Sequence, residues 1–221
     1  MNNDPKRKKT ALVLPGGGAR GAFQVGVLKA IAEILPKGAP NPFAVLSGTS
    51  AGAINSVVLA SKAHRFRLGV AELERVWGNF HCHHVYKTDN ATMLKSSLHW
   101  LSSIVLGGFL VGAPKSLLDN TPLRGLLSRN VRFPVIQNAI EKGHLDAVTV
   151  TAAGYATARS TSFYQGREGL HEWARTRRIG VRGELHLDHL MASIAVPMIF
   201  PPVLIDGEYF GDGAMRQATP L

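Results

Sequence analysis

Apolar and polar positions change their period several times along this chain, and the changes mark out its elements. Thr10 to Leu14 is a short apolar run broken by Pro15 and three glycines, a strand candidate. From Ala22 to Leu35, Phe23, Val27, Leu28, Ile31, Ile34 and Leu35 recur at helical spacing, and Pro36 closes the helix. After a loop over 36–42, Phe43-Ala44-Val45-Leu46 reads as the end of a buried strand. It runs into Gly48-Thr49-Ser50-Ala51-Gly52, and Ala51 to Ala60 begins a helix of Ala, Ile, Val and Leu. Strand, glycine loop, helix, strand, serine turn, helix is the order of a parallel α/β sheet.

Further along, Ala71 to Trp77 suggests a helix. Leu98 to Gly112 is strongly apolar, with a Gly107-Gly108 break, and falls short of the roughly 20 residues a membrane-spanning helix needs. A buried or interfacial helix fits it, with a lid or a lipid-contacting segment as the sharper alternative. Asn120-Thr121-Pro122-Leu123 resembles a helix start, since proline is tolerated in a first turn. Ala147 to Ala153 is the best later strand, and Ser162-Phe163-Tyr164 belongs to its neighbour. Arg175 to Glu184 reads as a basic, solvated hairpin or turn, and His186 to Ala195 as a helix ended by Pro197.

The 221 residues suffice for one sizeable core, and 45% hydrophobic with 18% charged residues is a globular balance. A net charge of +10 favours anionic partners. The basic residues are spread thinly outside Lys6-Arg7-Lys8-Lys9 and Arg175 to Arg182, with no nucleic-acid module among them, so no nucleic-acid partner is expected. The lone Cys82 excludes an internal disulfide, and no apolar run near the N-terminus is long enough for a signal peptide. The expectation is a cytoplasmic protein whose basic residues 1–9 form a flexible tail, suited to weak peripheral contact with an anionic membrane.

Two turns carry candidate chemistry. Gly16-Gly17-Gly18-Ala19-Arg20-Gly21 has the G-x-G-x-x-G spacing of a dinucleotide loop, but the second strand ends without the carboxylate that would bind ribose. A glycine loop opening a helix still presents backbone N–H groups to any anion, including the oxyanion of an attacked carbonyl. Ser50 between glycines on a strand-to-helix turn has the form of a nucleophile elbow. The usual elbow enzymes place Asp and then His after the serine, whereas here no histidine follows His189 and none can follow Asp212. Either Asp188 or Asp146 works with an upstream histidine, or a carboxylate acts as the base directly; His186 and His189, on a predicted helix, read as solvated rather than as the base.

Three blocks in order, Gly16 to Gly21, Gly48 to Gly52 and Asp212-Gly213-Ala214, resemble the patatin-like phospholipase family. Asp119 to Leu123 and Ala192 to Pro197 also look like family blocks, and the resemblance runs over residues 10–221. It implies a three-layer α/β/α fold with a mainly parallel central sheet. It also implies a serine lipid acyl hydrolase: a metal- and cofactor-free esterase or phospholipase with Ser50 as nucleophile and Asp212 as base. The glycine loop, chiefly Gly17, Gly18 and Ala19, would supply the oxyanion hole, and Arg20 would hold lipid phosphate. Family members continue into a further strand and helix after the Asp motif. The chain is therefore expected to be a fragment, truncated at its C-terminal end.

The remaining features have plainer readings. His81-Cys82-His83-His84 holds metal-ligand types, but adjacent positions do not converge on one ion, so a polar turn is expected. Trp77, Trp100 and Trp173 are read as packing residues. Two rival functions stay open: a nucleotide-binding oxidoreductase using the Gly16 to Gly21 loop, and a non-catalytic membrane-binding module.

Overall fold

A computed structural model describes residues 9–78, 116 and 118–220. The cluster His81 to His84, with Cys82, the segment Leu98 to Gly112 with Trp100, and residues 1–8 of the basic tail lie outside the described residues.

The chain opens as the pattern predicts. Strand β1 (Ala11–Leu14) leads through a single 3-10 turn (Gly18–Arg20) into helix α1 (Gly21–Ile34). Strand β2 (Val45–Thr49) leads directly into α2 (Ala51–Ser61), and α3 (Phe66–Gly78) follows. Beyond these come α4 (Thr121–Asn130), α5 (Pro134–Glu141), β3 (Ala147–Gly154) and β4 (Ser160–Gly166). The hairpin β5 (Trp173–Arg175) and β6 (Arg178–Arg182), helix α6 (Leu187–Ser193), the hairpin β7 (Val203–Ile205) and β8 (Glu208–Asp212), and the short α7 (Ala214–Gln217) complete the fold.

The strands lie in the order β1-β2-β3-β4-β6-β5, with β8 beside β3 and β7 beside β8. The α/β class is as expected, and β1, β2 and β3 are parallel. Taken whole, the sheet is mixed rather than mainly parallel: β3/β4, β3/β8, β5/β6 and β7/β8 are antiparallel. The physical reason is connection length, since short links such as residues 155–159, 176–177 and 206–207 can join only antiparallel neighbours.

The two faces of the sheet differ in chemistry. Leu46, Val148, Val150, Ala152 and Phe163 point toward the helices and share one core with Leu28, Val57, Leu73, Ile136 and Leu190. Residues of α1 (Leu28) and α2 (Val57) share that core, so both helices lie on the same face of the sheet. The other face carries hydroxyls: Ser47 meets Thr149 at 2.8 Å and Thr151 meets Ser162 at 3.2 Å. The segment containing α7 lies across it, with Ser47 donating to the Pro220 carbonyl, Thr49 to the Gln217 carbonyl and Ser160 to Gln217 Oε1. The two layers about the sheet are therefore unequal among the described residues.

Strand β3 decides where the chain's chemistry collects. One of its edges is filled from Ala147 to Ala153 by β4. The other is shared: β2 pairs as far as Thr49↔Thr151, and β8 takes over at Asp212↔Ala152. The ends of β2 and β8 thus meet along two consecutive residues of a third strand.

Candidate active site

Ser50 sits where β2 becomes α2, with φ 53° and ψ −124°, a left-handed backbone that a β-carbon resists. The turn is tight on both sides of it. A β-carbon on Gly48 would stand 2.3 Å from the Gly52 carbonyl oxygen, and one on Gly52 would stand 2.0 Å from the Leu14 carbonyl oxygen. Glycine is required at both positions by these close approaches. Ser50 N–H donates to Ser193 Oγ at 2.9 Å, and Ser193 Oγ–H donates to the Thr151 carbonyl at 2.6 Å.

Ser50 Oγ–H donates to Asp212 Oδ2 at 2.7 Å, and both residues are buried. The second carboxylate oxygen, Oδ1, accepts the Ala214 N–H at 2.8 Å, while the Asp212 N–H donates to the Ala195 carbonyl. Gly213 passes so close to β3 that a β-carbon there would lie 2.2 Å from the Thr151 carbonyl oxygen. Burial raises the Asp212 pKa above the ordinary carboxylate value, against the opposing hydrogen bonds from Ala214 and Ser50. A carboxylate tuned upward in this way is a better proton acceptor than a solvated one.

The glycine loop closes over this pair. The position of a Gly16 β-carbon is 3.3 Å from Ser50 Cβ and 3.0 Å from Ala214 Cβ, so the loop packs directly on Ser50 and the Asp motif. Its members divide between packing and exposure. Gly16 N–H is committed to the Ala218 carbonyl, and a β-carbon on Gly21 would collide with the Trp77 ring at 2.6 Å. Gly17, Gly18 and Ala19 are exposed, and their N–H groups are outside the recorded turn hydrogen bonds. Gly18 has φ +55° and starts the 3-10 turn. Ala51, at the first position of α2, directs its N–H to the same side as the start of any helix does. Arg20 is exposed.

Two further residues organise the site, and the sequence reading passed over both roles. Ser193 is fully buried, between Ser50 and β3. Asn55, also fully buried, donates to the Gly21 carbonyl (3.1 Å) and Gln24 Oε1 (2.9 Å) and accepts from Trp77 Nε1 (2.8 Å). Gln24 in turn donates to the Pro15 carbonyl, so α2 and the glycine loop are tied together. The available signal for Asn55 was an amide in a helix built mainly of Ala, Ile, Val and Leu. The β7/β8 hairpin that carries Asp212 back to β3 turns at Asp206-Gly207, whose positive φ angles are 48° and 84°.

The other candidates for a base lie elsewhere. Asp146 pairs with Lys9 and Arg167, and Asp188 pairs with Arg124. His186 and His189 cap α6, the His186 N–H donating to His189 Nδ1. The His189 ring packs at a tilt against Phe163, and burial, reinforced by His186, holds its pKa below the ordinary value. Both histidines line a cavity of about 400 Å³ with Val181, Leu204 and Asp206, which does not include Ser50 or Asp212. Among the described residues, Ser50 has no histidine partner.

Residues 12–221 match the model of the family described as patatin-like phospholipase. A lysophospholipase, nte1, of Aspergillus terreus (strain NIH 2624 / FGSC A1156) is 46% identical over 56 residues, which make up 25% of this chain and 3% of that protein. VipD from Legionella pneumophila has a crystal structure similar in fold, with a TM-score of 0.55 at 15% identity. The likeness covers 95% of this chain and 46% of VipD, so the chain spans less than half of that structure's length.

Proposed function

The chain belongs to the patatin-like phospholipase family, and on that premise we propose that it is a serine lipid acyl hydrolase in which Ser50 attacks and Asp212 is the base. The observation that carries this reading is the 2.7 Å hydrogen bond from Ser50 Oγ to Asp212 Oδ2 inside a buried turn. A carboxylic ester of a lipid is the substrate class, supported by the family and by the lysophospholipase relative. The activity is of phospholipase A or carboxylesterase type and independent of metal, because each proton and charge has a place on the chain itself.

As Ser50 Oγ bonds to the ester carbonyl carbon, its proton passes to Asp212 Oδ2. The carbonyl oxygen becomes an oxyanion, received by N–H groups of Gly17, Gly18 and Ala19 and by that of Ala51, each well-placed donor contributing about 3–4 kcal/mol. Collapse of this intermediate breaks the bond to the leaving alcohol, which takes the proton from Asp212. Water then attacks the acyl-serine with Asp212 again as base, releasing the fatty acid and restoring the Ser50 hydroxyl.

Labelling of the purified chain with a fluorophosphonate, together with fatty-acid release from a lysophospholipid, tests the reading. The expected result is labelling at Ser50 that Ser50→Ala abolishes and Asp212→Asn slows by roughly 10²–10⁴-fold. A folded wild-type chain that neither labels nor releases fatty acid overturns it, as does wild-type labelling in Asp212→Asn. Tightly bound nicotinamide or flavin in the purified protein would favour the dinucleotide reading of the glycine loop instead.

A further inference from the structure

The end of the sheet that carries Ser50 also carries an arginine corner that no catalytic step uses. One rung outward from Ala152, the partner of Asp212, the ladder runs Ala153, Ser160, Arg178, Arg175 across β3, β4, β6 and β5. Arg177 lies in the turn between β5 and β6, its carbonyl accepting the Ser160 N–H, and Arg159 immediately precedes β4. With strands about 4.8 Å apart, Arg178 stands three strands, roughly 14 Å, from Asp212.

All four side chains are exposed, and among the described residues none of them is in an ion pair. Glu208, on the strand leading to Asp212, is held instead by the Thr157 N–H and hydroxyl. Arg175 and Arg178 are direct cross-strand partners, and like charges facing each other in this way destabilise a hairpin. The fold gains nothing from the arrangement, whereas an external anion would. Guanidinium groups match phosphate oxygens with paired donors.

The neighbouring surface narrows the class of anion. Trp173, 37% exposed, lies over Gly180 two residues before Arg175, on the same face as Arg175 and Arg178. Met215 follows closely on Asp212, and Met198 and Ile199 follow Ala195, which accepts the Asp212 N–H; all three are exposed. Arginines, a half-exposed indole and exposed apolar tips at one end suit the headgroup layer of a bilayer. A nucleic acid would leave the apolar tips without a partner.

We propose that this end of the sheet docks on an anionic phospholipid bilayer, with Arg159, Arg175, Arg177 and Arg178 on lipid phosphates and Ser50 facing the membrane. The docking is a matter of binding and is read without catalysis, so it stands or falls separately from the hydrolase reading.

Co-sedimentation of the full chain with vesicles tests it, using phosphatidylcholine alone and phosphatidylcholine mixed with phosphatidylglycerol. Binding to the mixed vesicles, lost at high salt, is expected. The triple variant Arg175→Gln, Arg177→Gln, Arg178→Gln should partition on the order of 100-fold more weakly. A triple of equal charge at the opposite end, Lys37→Gln, Arg65→Gln, Lys142→Gln, should stay near wild type. Should the arginine triple fail to fold by circular dichroism, Arg175→Gln and Arg177→Gln singly should each weaken binding several-fold. Equal loss in both triples, no loss in the arginine variants, absent wild-type binding, or salt-sensitive binding to duplex DNA in place of vesicles would each overturn the proposal.

Discussion

Ser193 Oγ accepts the backbone N–H of Ser50 at 2.9 Å while donating to the Thr151 carbonyl at 2.6 Å, so a residue 143 positions away fixes Ser50 against β3. Ser193→Ala leaves a buried N–H and a buried carbonyl without that partner. A stability loss of about 1–3 kcal/mol is expected in chemical denaturation. Because the Ser50 backbone is strained, loosening it should also lower kcat more than it raises KM. Wild-type rates of fluorophosphonate labelling in Ser193→Ala would show that the bridge does not position Ser50.

The pH dependence of hydrolysis should report a carboxylate and not an imidazole. Asp212 must be ionised to take the Ser50 proton, and burial raises its pKa. The acid limb of kcat/KM should therefore lie above the ordinary carboxylate range, with activity lost as pH falls through it. His186→Gln and His189→Gln should leave the shape of the profile unchanged. A limb that disappears with either histidine would contradict the Ser-Asp pairing.

Stability should respond to Asp212 in the opposite sense to activity. A carboxyl whose pKa is raised on folding contributes most at low pH, where it is neutral in both states, and that contribution is lost as pH rises through the folded value. Asp212→Asn is neutral throughout. The variant should melt at a higher temperature than wild type at neutral pH, with the difference shrinking on acidification. Scanning calorimetry at several pH values checks this.

Asn55 couples the serine helix to the glycine loop through Gly21, Gln24 and Trp77. Asn55→Ala should cost about 2 kcal/mol or more, since it removes three hydrogen bonds of a fully buried side chain at once. Steady-state kinetics on the folded fraction should show a reduced kcat, as the oxyanion donors on the loop lose their reference to Ser50.

The parts of the fold legible in sequence were those with strong local signals. The Gly16 loop, α1, β2, the Ser50 turn and α2 form one continuous unit in which period, proline stops and glycines agree. Helix α5 and the β7/β8 hairpin carried weaker signals, because strands of three to five residues barely establish a period. The mixed pairing beyond β3 depends on which edge each strand takes, and no local pattern encodes that choice. Ser193 belongs to the same class: its hydroxyl matters only through partners brought beside it by the finished sheet. Ser50 and Asp212 were visible as motifs, but their contact was a matter of resemblance until β3 placed them side by side.

Because β2 and β8 abut on the edge of β3, the reach between Ser50 and Asp212 is measured by one peptide unit of a third strand and not by the 162 positions that separate them along the chain. Apart from β3 and the buried Asn55 and Ser193, the intervening residues are free to lengthen, shorten or diversify wherever they leave β3 in register. The fold thereby separates the part of the molecule that must stay constant for chemistry from the part that can be rewritten to meet a different substrate.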